Sequence, residues 1–309
     1  MSELQVATTA WSWRGLSDAD SLCVQAEQAE LMGFHSFWLP ENHFGAKRSI
    51  PAPLTLLAAV AARTQHLKLG CTSYLLPIRN PILAAEEVAV LDQLSGGRLI
   101  LGVGRGMQPA MFRAFAVDAS QKRKLFAHNL DIMRRAWRGE SLGTDDKGDP
   151  IRLSPLPVQR PEPPVWVAAF GPLALQQVAG LGLPYLASPV ESIDSLEQNY
   201  TRHREQVAAA GHPPVSEVPV MRGVFVADDA AQLKSARTGL LQTLPPGIDE
   251  SVIDDIALIG DRVTVRDKLI EYRERLGLTL LIVRAGVPGL SGEVQLASHT
   301  RLVEIVRSL

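Results

Sequence analysis

Asn80-Pro81-Ile82-Leu83-Ala84-Ala85-Glu86-Glu87-Val88-Ala89-Val90-Leu91-Asp92-Gln93-Leu94-Ser95-Gly96-Gly97-Arg98-Leu99-Ile100-Leu101-Gly102-Val103 decides the fold. Asn80 is a capping side chain, and Pro81 takes the first helical position, where a missing N–H costs nothing. The helix then runs to Ser95-Gly96-Gly97, where glycine ends it. Leu99 to Val103 follows as a continuous apolar run, the mark of a strand buried on both faces. A helix feeding such a strand is one half of a parallel βαβ unit.

The same grammar recurs on both sides. Leu4 to Thr9 reads as a first strand, Ser17 caps a helix that Gly33 closes, and Phe34 to Leu39 is the second strand. A helix from about Pro53 to Thr64 precedes a strand from Leu67 to Cys71, and a long helix covers about Lys124 to Arg138. Further strands are expected at Val165–Ala169, Leu183–Ala187, Val218–Val226 and Thr279–Val283. Val265, Leu269, Tyr272 and Leu276 mark the apolar face of a late helix that Gly277 terminates. Residues 139–164 and 240–258 break the pattern and read as irregular insertions. Eight candidate strands alternating with helices imply an α/β fold, a (β/α)8 TIM-type barrel in one domain over residues 1–309. Five or six strands would instead have meant an open doubly wound sheet.

Composition narrows the function. Of 309 residues, 31 are Lys or Arg and 33 are Asp or Glu, a net charge of −2. That balance lacks the electrostatic footprint of a nucleic-acid binder. The one basic run, Gln121-Lys122-Arg123-Lys124, reads as a solvated helix face. The apolar fraction of 46% places the chain among ordinary globular proteins. Cys23 and Cys71 lie far apart without metal-ligand spacing, so no metal site is expected and a reducing compartment is favoured. No apolar stretch approaches a membrane span, and no leader sequence is evident, so the expected location is the cytoplasm.

In a barrel, function sits on the loops after the strands. Gly33-Phe34-His35-Ser36-Phe37-Trp38-Leu39-Pro40-Glu41-Asn42-His43-Phe44, the Leu-Asp-Gln-Leu-Ser-Gly-Gly-Arg run at 91–98 and Gly102-Val103-Gly104-Arg105-Gly106 together resemble the bacterial luciferase-like family of flavin-dependent monooxygenases. Val165 to Ala169 and Ile259-Gly260-Asp261 fit as well. The resemblance implies an enzyme that takes reduced FMN from a separate flavin reductase and uses O2 to oxidise a small organic substrate, in a homodimer. Two alternatives share the fold: an F420-dependent oxidoreductase and a non-catalytic flavin-binding barrel.

Residue by residue, the resemblance places the flavin phosphate on Arg105, with the backbone N–H of Met107 assisting. From the residues alone, glycines on either side let a phosphate approach, and a guanidinium grips two of its oxygens. Phe170-Gly171 opens a helix whose free N–H groups suit an anion. Gly171 and Ala174 stand where luciferase carries hydroxyls. Thr72 and Ser73 would lie beneath the flavin ring, joined by a non-proline cis peptide bond, with Tyr74 beside the ring or filling the barrel mouth. Glu41-Asn42-His43 replaces the common Glu-His-His. Asn42 hydrogen-bonds but does not shuttle protons, whereas His43 retains an ionisable ring to orient the substrate or oxidant. Arg222 and Arg284, in the last two expected strands, are candidates for binding an anionic substrate group. A salt bridge is the competing reading for each.

Overall fold

A computed structural model describes residues 3–15, 18–45, 49–244 and 249–309. The expected capping residue Ser17 lies outside them, as does part of the 240–258 insertion. The chain divides into two compact units, one of Met1–Trp13, Asp20–Trp38 and Ala169–Leu309, the other of Arg14–Ala19 and Leu39–Ala168.

The first unit carries β1 (Gln5–Thr9), β2 (Ser36–Leu39, whose last residue falls in the second unit), β6 (Tyr185–Leu186), β7 (Pro219–Val226), β8 (Ala257–Gly260) and β9 (Leu280–Arg284). Five of these form parallel ladders in the order β8-β7-β9-β1-β2. Every residue of β7 and β8 is buried, which explains their mostly apolar sequences, interrupted in β7 by Arg222. β8 is a strand the sequence pattern did not mark. It makes nine parallel strands among the described residues, against eight expected. The stretch 240–258 is accordingly not wholly irregular, for it holds a short helix, Val252–Ile256, that delivers the chain into β8.

The second unit pairs β3 (Lys68–Leu75) with β4 (Leu99–Gly104), and β4 with β5 (Val165–Ala168), all parallel. β3 continues four residues past the expected end at Cys71. The Thr72–Ser73 peptide bond is cis, and the β3–β4 register shifts between Cys71 and Tyr74. The 139–164 excursion contains an antiparallel hairpin of Gly143–Thr144 and Pro150–Ile151.

The stretch that decided the fold behaves as its residues require. The Asn80 side chain accepts from Ile82 N at 2.9 Å and Leu83 N at 3.2 Å, capping helix Pro81–Ser95. Gly96 and Gly97 close it at φ +66° and +82°, conformations open to glycine. Arg98 then ties three pieces of chain together. Its guanidinium donates to Ala61 O at 2.9 Å, Leu67 O at 2.8 Å and Thr64 Oγ1 at 2.9 Å. Asp92, fully buried, accepts from Gln159 N and Nε2 at 2.9 and 2.7 Å, which pins the end of the excursion. The Asp and Arg of this motif are therefore structural ties between segments of the second unit. Among the described residues, no helix is long and apolar enough to cross a membrane.

Candidate functional site

The second unit gathers its polar chemistry just after β2, β3 and β4. Glu41 is buried, with no side-chain exposure. A buried carboxylate is costly unless donors surround it. Here three do: His43 Nε2 at 2.7 Å, Arg79 Nη1 at 2.8 Å and Leu75 N at 2.9 Å. An ionised carboxylate only accepts, so His43 donates to it through Nε2. Arg79 lies 3.8 Å above the centre of the Tyr74 ring, and the Tyr74 hydroxyl donates to Glu87 Oε2 at 2.6 Å. Burial, with the Glu87 carboxylate adding to it, pushes the Tyr74 phenol well above its ordinary range. Cys71 is fully buried, and burial together with the Glu41 charge raises its thiol in the same way.

The sequence candidates in this region separate by what their side chains touch. Asn42 Oδ1 accepts from Ile50 N at 2.6 Å, and Asn42 N donates to Ile50 O at 3.1 Å, so Asn42 closes its own loop. Tyr74 is 1% exposed, its ring covered by Arg79 and its hydroxyl held by Glu87. His43 packs edge-on against Phe115 at 5.0 Å and beside Phe44 at 5.8 Å. Phe44 and Phe115 are 67% and 40% exposed, an apolar lip next to the imidazole. Phe44 also has φ +59°, a conformation a bulky side chain adopts only where its surroundings enforce it.

Arg105 follows β4. A Cβ on Gly104 would collide with the Ser73 hydroxyl, and Gly106 has φ +72°, so both flanking positions call for glycine. The half-buried Arg105 guanidinium lies 6.0 Å from the Phe126 ring centre. Burial and the nearby Arg123 charge hold its pKa below the ordinary arginine range. Arg123 adds its charge to the surroundings of Arg105 while itself remaining exposed, on the solvated face its charged run leads one to expect. Two guanidinium charges set against each other favour a multiply charged anion, which relieves their repulsion. Met107 is 78% exposed. Thr72 and Ser73, on the cis bond, are partly exposed, with Ser73 against Gly104.

In the first unit, Gly171 at φ +80° precedes helix Pro172–Gly180, and Phe170 beside it is 64% exposed. Arg222 is fully buried in β7. Its Nε donates to the Tyr272 hydroxyl at 3.0 Å, its Nη2 to Glu191 O at 2.5 Å, and its Nη1 to Met221 O at 3.1 Å and Ser188 O at 3.4 Å. Arg222 therefore holds the loop after β6 by its backbone, where a salt bridge or a substrate anion was expected. Arg284 ends β9 and lines a separate recess. No residue signal in the sequence distinguished the two arginines.

Similarity to solved structures defines the fold. A monooxygenase, RslO1, from Streptomyces bottropensis superposes with a TM-score of 0.85 at 23% identity over 99% of each chain. The oxygenating component of 3,6-diketocamphane monooxygenase from Pseudomonas putida, solved with FMN, superposes at 0.80 with 21% identity over 98% of each chain. The fold is the α/β, TIM-type barrel of these enzymes. The sequence gives the family: the model of the luciferase-like monooxygenases matches residues 5–251, and the chain belongs to that family. The oxygenase component of flavin-dependent trigonelline monooxygenase from Acinetobacter baylyi is 26% identical over 217 residues, 68% of this chain and 59% of that relative. The chain is accordingly an oxidoreductase of the luciferase-like, flavin-dependent monooxygenase class.

Proposed function

We propose that the second unit holds the phosphate of reduced FMN between Arg105 and Arg123, with the Met107 N–H assisting and Thr72–Ser73 beneath the ring. The observation that carries this is the glycine-flanked loop after β4, which presents the half-buried Arg105 beside the cis Thr72–Ser73 bond. The donor set fits a phosphate: the forked N–H groups of a half-buried Arg105, on a backbone that Gly104 and Gly106 let pack closely against Ser73 and Met111. When bound, reduced FMN supplies the electrons with which O2 is activated to oxygenate a small organic substrate.

The chain's own residues do the rest. Glu41, fixed by Arg79 and Leu75 N, holds the His43 ring through Nε2. Phe44 and Phe115 shield that ring from water. Asn42 supports the loop that carries His43. Tyr74 supports Arg79 from below. The cofactor contacts expected of Phe170 and Gly171 rest on the resemblance. So do the flavin reductase partner, the homodimer and the single catalytic domain. A cytoplasmic location rests on composition.

Titration with reduced FMN, followed by flavin absorbance, tests the assignment. Arg105→Ala should weaken binding by about 1.5–3 kcal/mol, the worth of a charge-assisted contact. Unchanged affinity overturns the phosphate assignment. Parallel titration with reduced F420 decides the cofactor, since tighter binding of the deazaflavin replaces FMN in the proposal.

A further inference from the structure

Glu41 and Arg79 form a buried ion pair, and stability alone does not explain it. Two charges taken out of water recover little more than the cost of desolvation, and an apolar pair of similar volume often holds a chain as well. What this pair adds is geometry. His43 Nε2 and Arg79 Nη1 meet on the same oxygen, Glu41 Oε1, at 2.7 and 2.8 Å. The guanidinium thus fixes the very atom to which the imidazole donates. The other oxygen, Oε2, takes Leu75 N at 2.9 Å.

Arg79 Nη1 also donates to Leu75 O at 2.9 Å. Leu75 is therefore gripped twice, its N–H by Glu41 and its carbonyl by Arg79. Leu75 ends β3, two residues beyond Ser73. One ion pair thus joins the loop after β2, which carries His43, to the end of the strand that carries Thr72 and Ser73. Arg79 is itself braced by two helices. The Tyr74 ring lies 3.8 Å beneath its guanidinium, and the Tyr74 hydroxyl is tied to Glu87 on helix Pro81–Ser95. Asn129, buried on helix Lys122–Trp137, donates to Arg79 O at 3.1 Å and to Leu76 O at 2.9 Å. A lysine would supply the charge without the planar group that stacks on Tyr74.

We propose that Arg79 is a positioning residue: acting through Glu41 Oε1, it sets the orientation of the His43 ring relative to Thr72 and Ser73. That the ring then faces a flavin lying over those two residues rests on the reading proposed above, whereas the tie itself does not. Loss of Arg79 frees the oxygen that holds the imidazole. The bonds between Asn42 and Ile50 still close the loop, so the release is confined to the ring and its carboxylate.

Carbethoxylation of the purified full-length protein with diethylpyrocarbonate, mapped residue by residue by mass spectrometry, tests the tie without a ligand. His43 is buried, His66 and His128 are exposed, and His299 is buried in the first unit. The exposed rings calibrate the reagent, and His299 reports general opening. In Arg79→Met the His43 rate should rise by about fivefold or more relative to His66, with His299 unchanged, and Arg79→Lys, which keeps the charge, should fall between. Should Arg79→Met fail to fold, Glu41→Gln/Arg79→Met replaces it, because that variant buries no lone charge. An unchanged His43 rate overturns the proposal, as does a rise shared by His299. The link to function is read from the reoxidation by O2 of reduced FMN bound to the protein. Arg79→Met should alter that rate in the parent and leave it unaltered in a His43→Gln background, since Arg79 acts through His43. Equal effects in both backgrounds, or none in either, overturn the positioning role. If the parent does not bind reduced FMN, the flavin reading fails, and the His43 modification rates alone decide the proposal.

Discussion

Lowering the pH should loosen the first unit through a single side chain, His299. This residue lies in the last helix, Gly292–Arg307, and is 4% exposed. Its ring sits 5.1 Å from that of Trp11 and 5.6 Å from that of Phe34. Nδ1 lies 2.6 Å from Gln295 O, which only accepts, so Nδ1 donates there, while Nε2 lies 3.0 Å from the Thr8 hydroxyl oxygen. Burial lowers its pKa from 6.5 to about 4, and the bond to Gln295 O only partly opposes that. The folded chain therefore takes up this proton less readily than the unfolded chain. As pH falls through 6.5 the unfolded state gains a proton the folded state refuses, and stability is lost until the pH reaches about 4. At pH 5 the loss works out at about 2 kcal/mol relative to pH 8. Urea unfolding of the parent and of His299→Gln across this range isolates the effect, because every other titrating group is common to both. The stability gap between them should narrow by about 2 kcal/mol from pH 8 to pH 5. Histidine side-chain NMR should place the native midpoint near 4. A constant gap, with a midpoint near 6.5, would show that the ring protonates freely in the fold and would refute the tautomer and packing argument.

Two further outcomes follow from the site. Glu41→Gln leaves Arg79 without its buried counter-charge and should cost about 3–5 kcal/mol in denaturant unfolding. Removing both charges in Glu41→Gln/Arg79→Met should cost less than the two single changes added together, and strict additivity would show that the pair does not interact. Gly104→Ala sets a methyl group against the Ser73 hydroxyl and should weaken reduced-FMN binding at least tenfold, a shift of about 1.4 kcal/mol. Ser73→Gly in the same chain should restore it, since the obstructing side chain is then gone.

What the sequence made legible was local. The Asn80 cap, the Gly96-Gly97 stop and the buried run from Leu99 are each decided by neighbours a few residues away, and each forms as expected. The end of β3 was misplaced because Thr72 and Ser73 are polar and mimic a loop, while the strand passes through them with a shifted register. β8 was missed because only Ala257-Leu258-Ile259-Gly260 separates two helices, and the acidic Asp254 and Asp255 just before it mimic a surface turn. A four-residue strand buried throughout has no alternating pattern to betray it.

The site follows the same division. Arg105 was legible because glycines flank it in the chain. Its companion Arg123 lies 18 positions later on a charged helix turn, and only the fold brings its charge to bear. Arg79 is 38 positions from Glu41, and nothing local couples an arginine after a proline turn to a carboxylate on another loop. The two strand arginines make the point most sharply. Both interrupt apolar runs, so periodicity treats them alike. They differ only in the acceptors that distant segments supply: Arg222 meets the carbonyls of Ser188 and Glu191, and Arg284 meets an apolar wall. Spending one cation on the backbone of the 188–191 loop holds in place the wall facing the other.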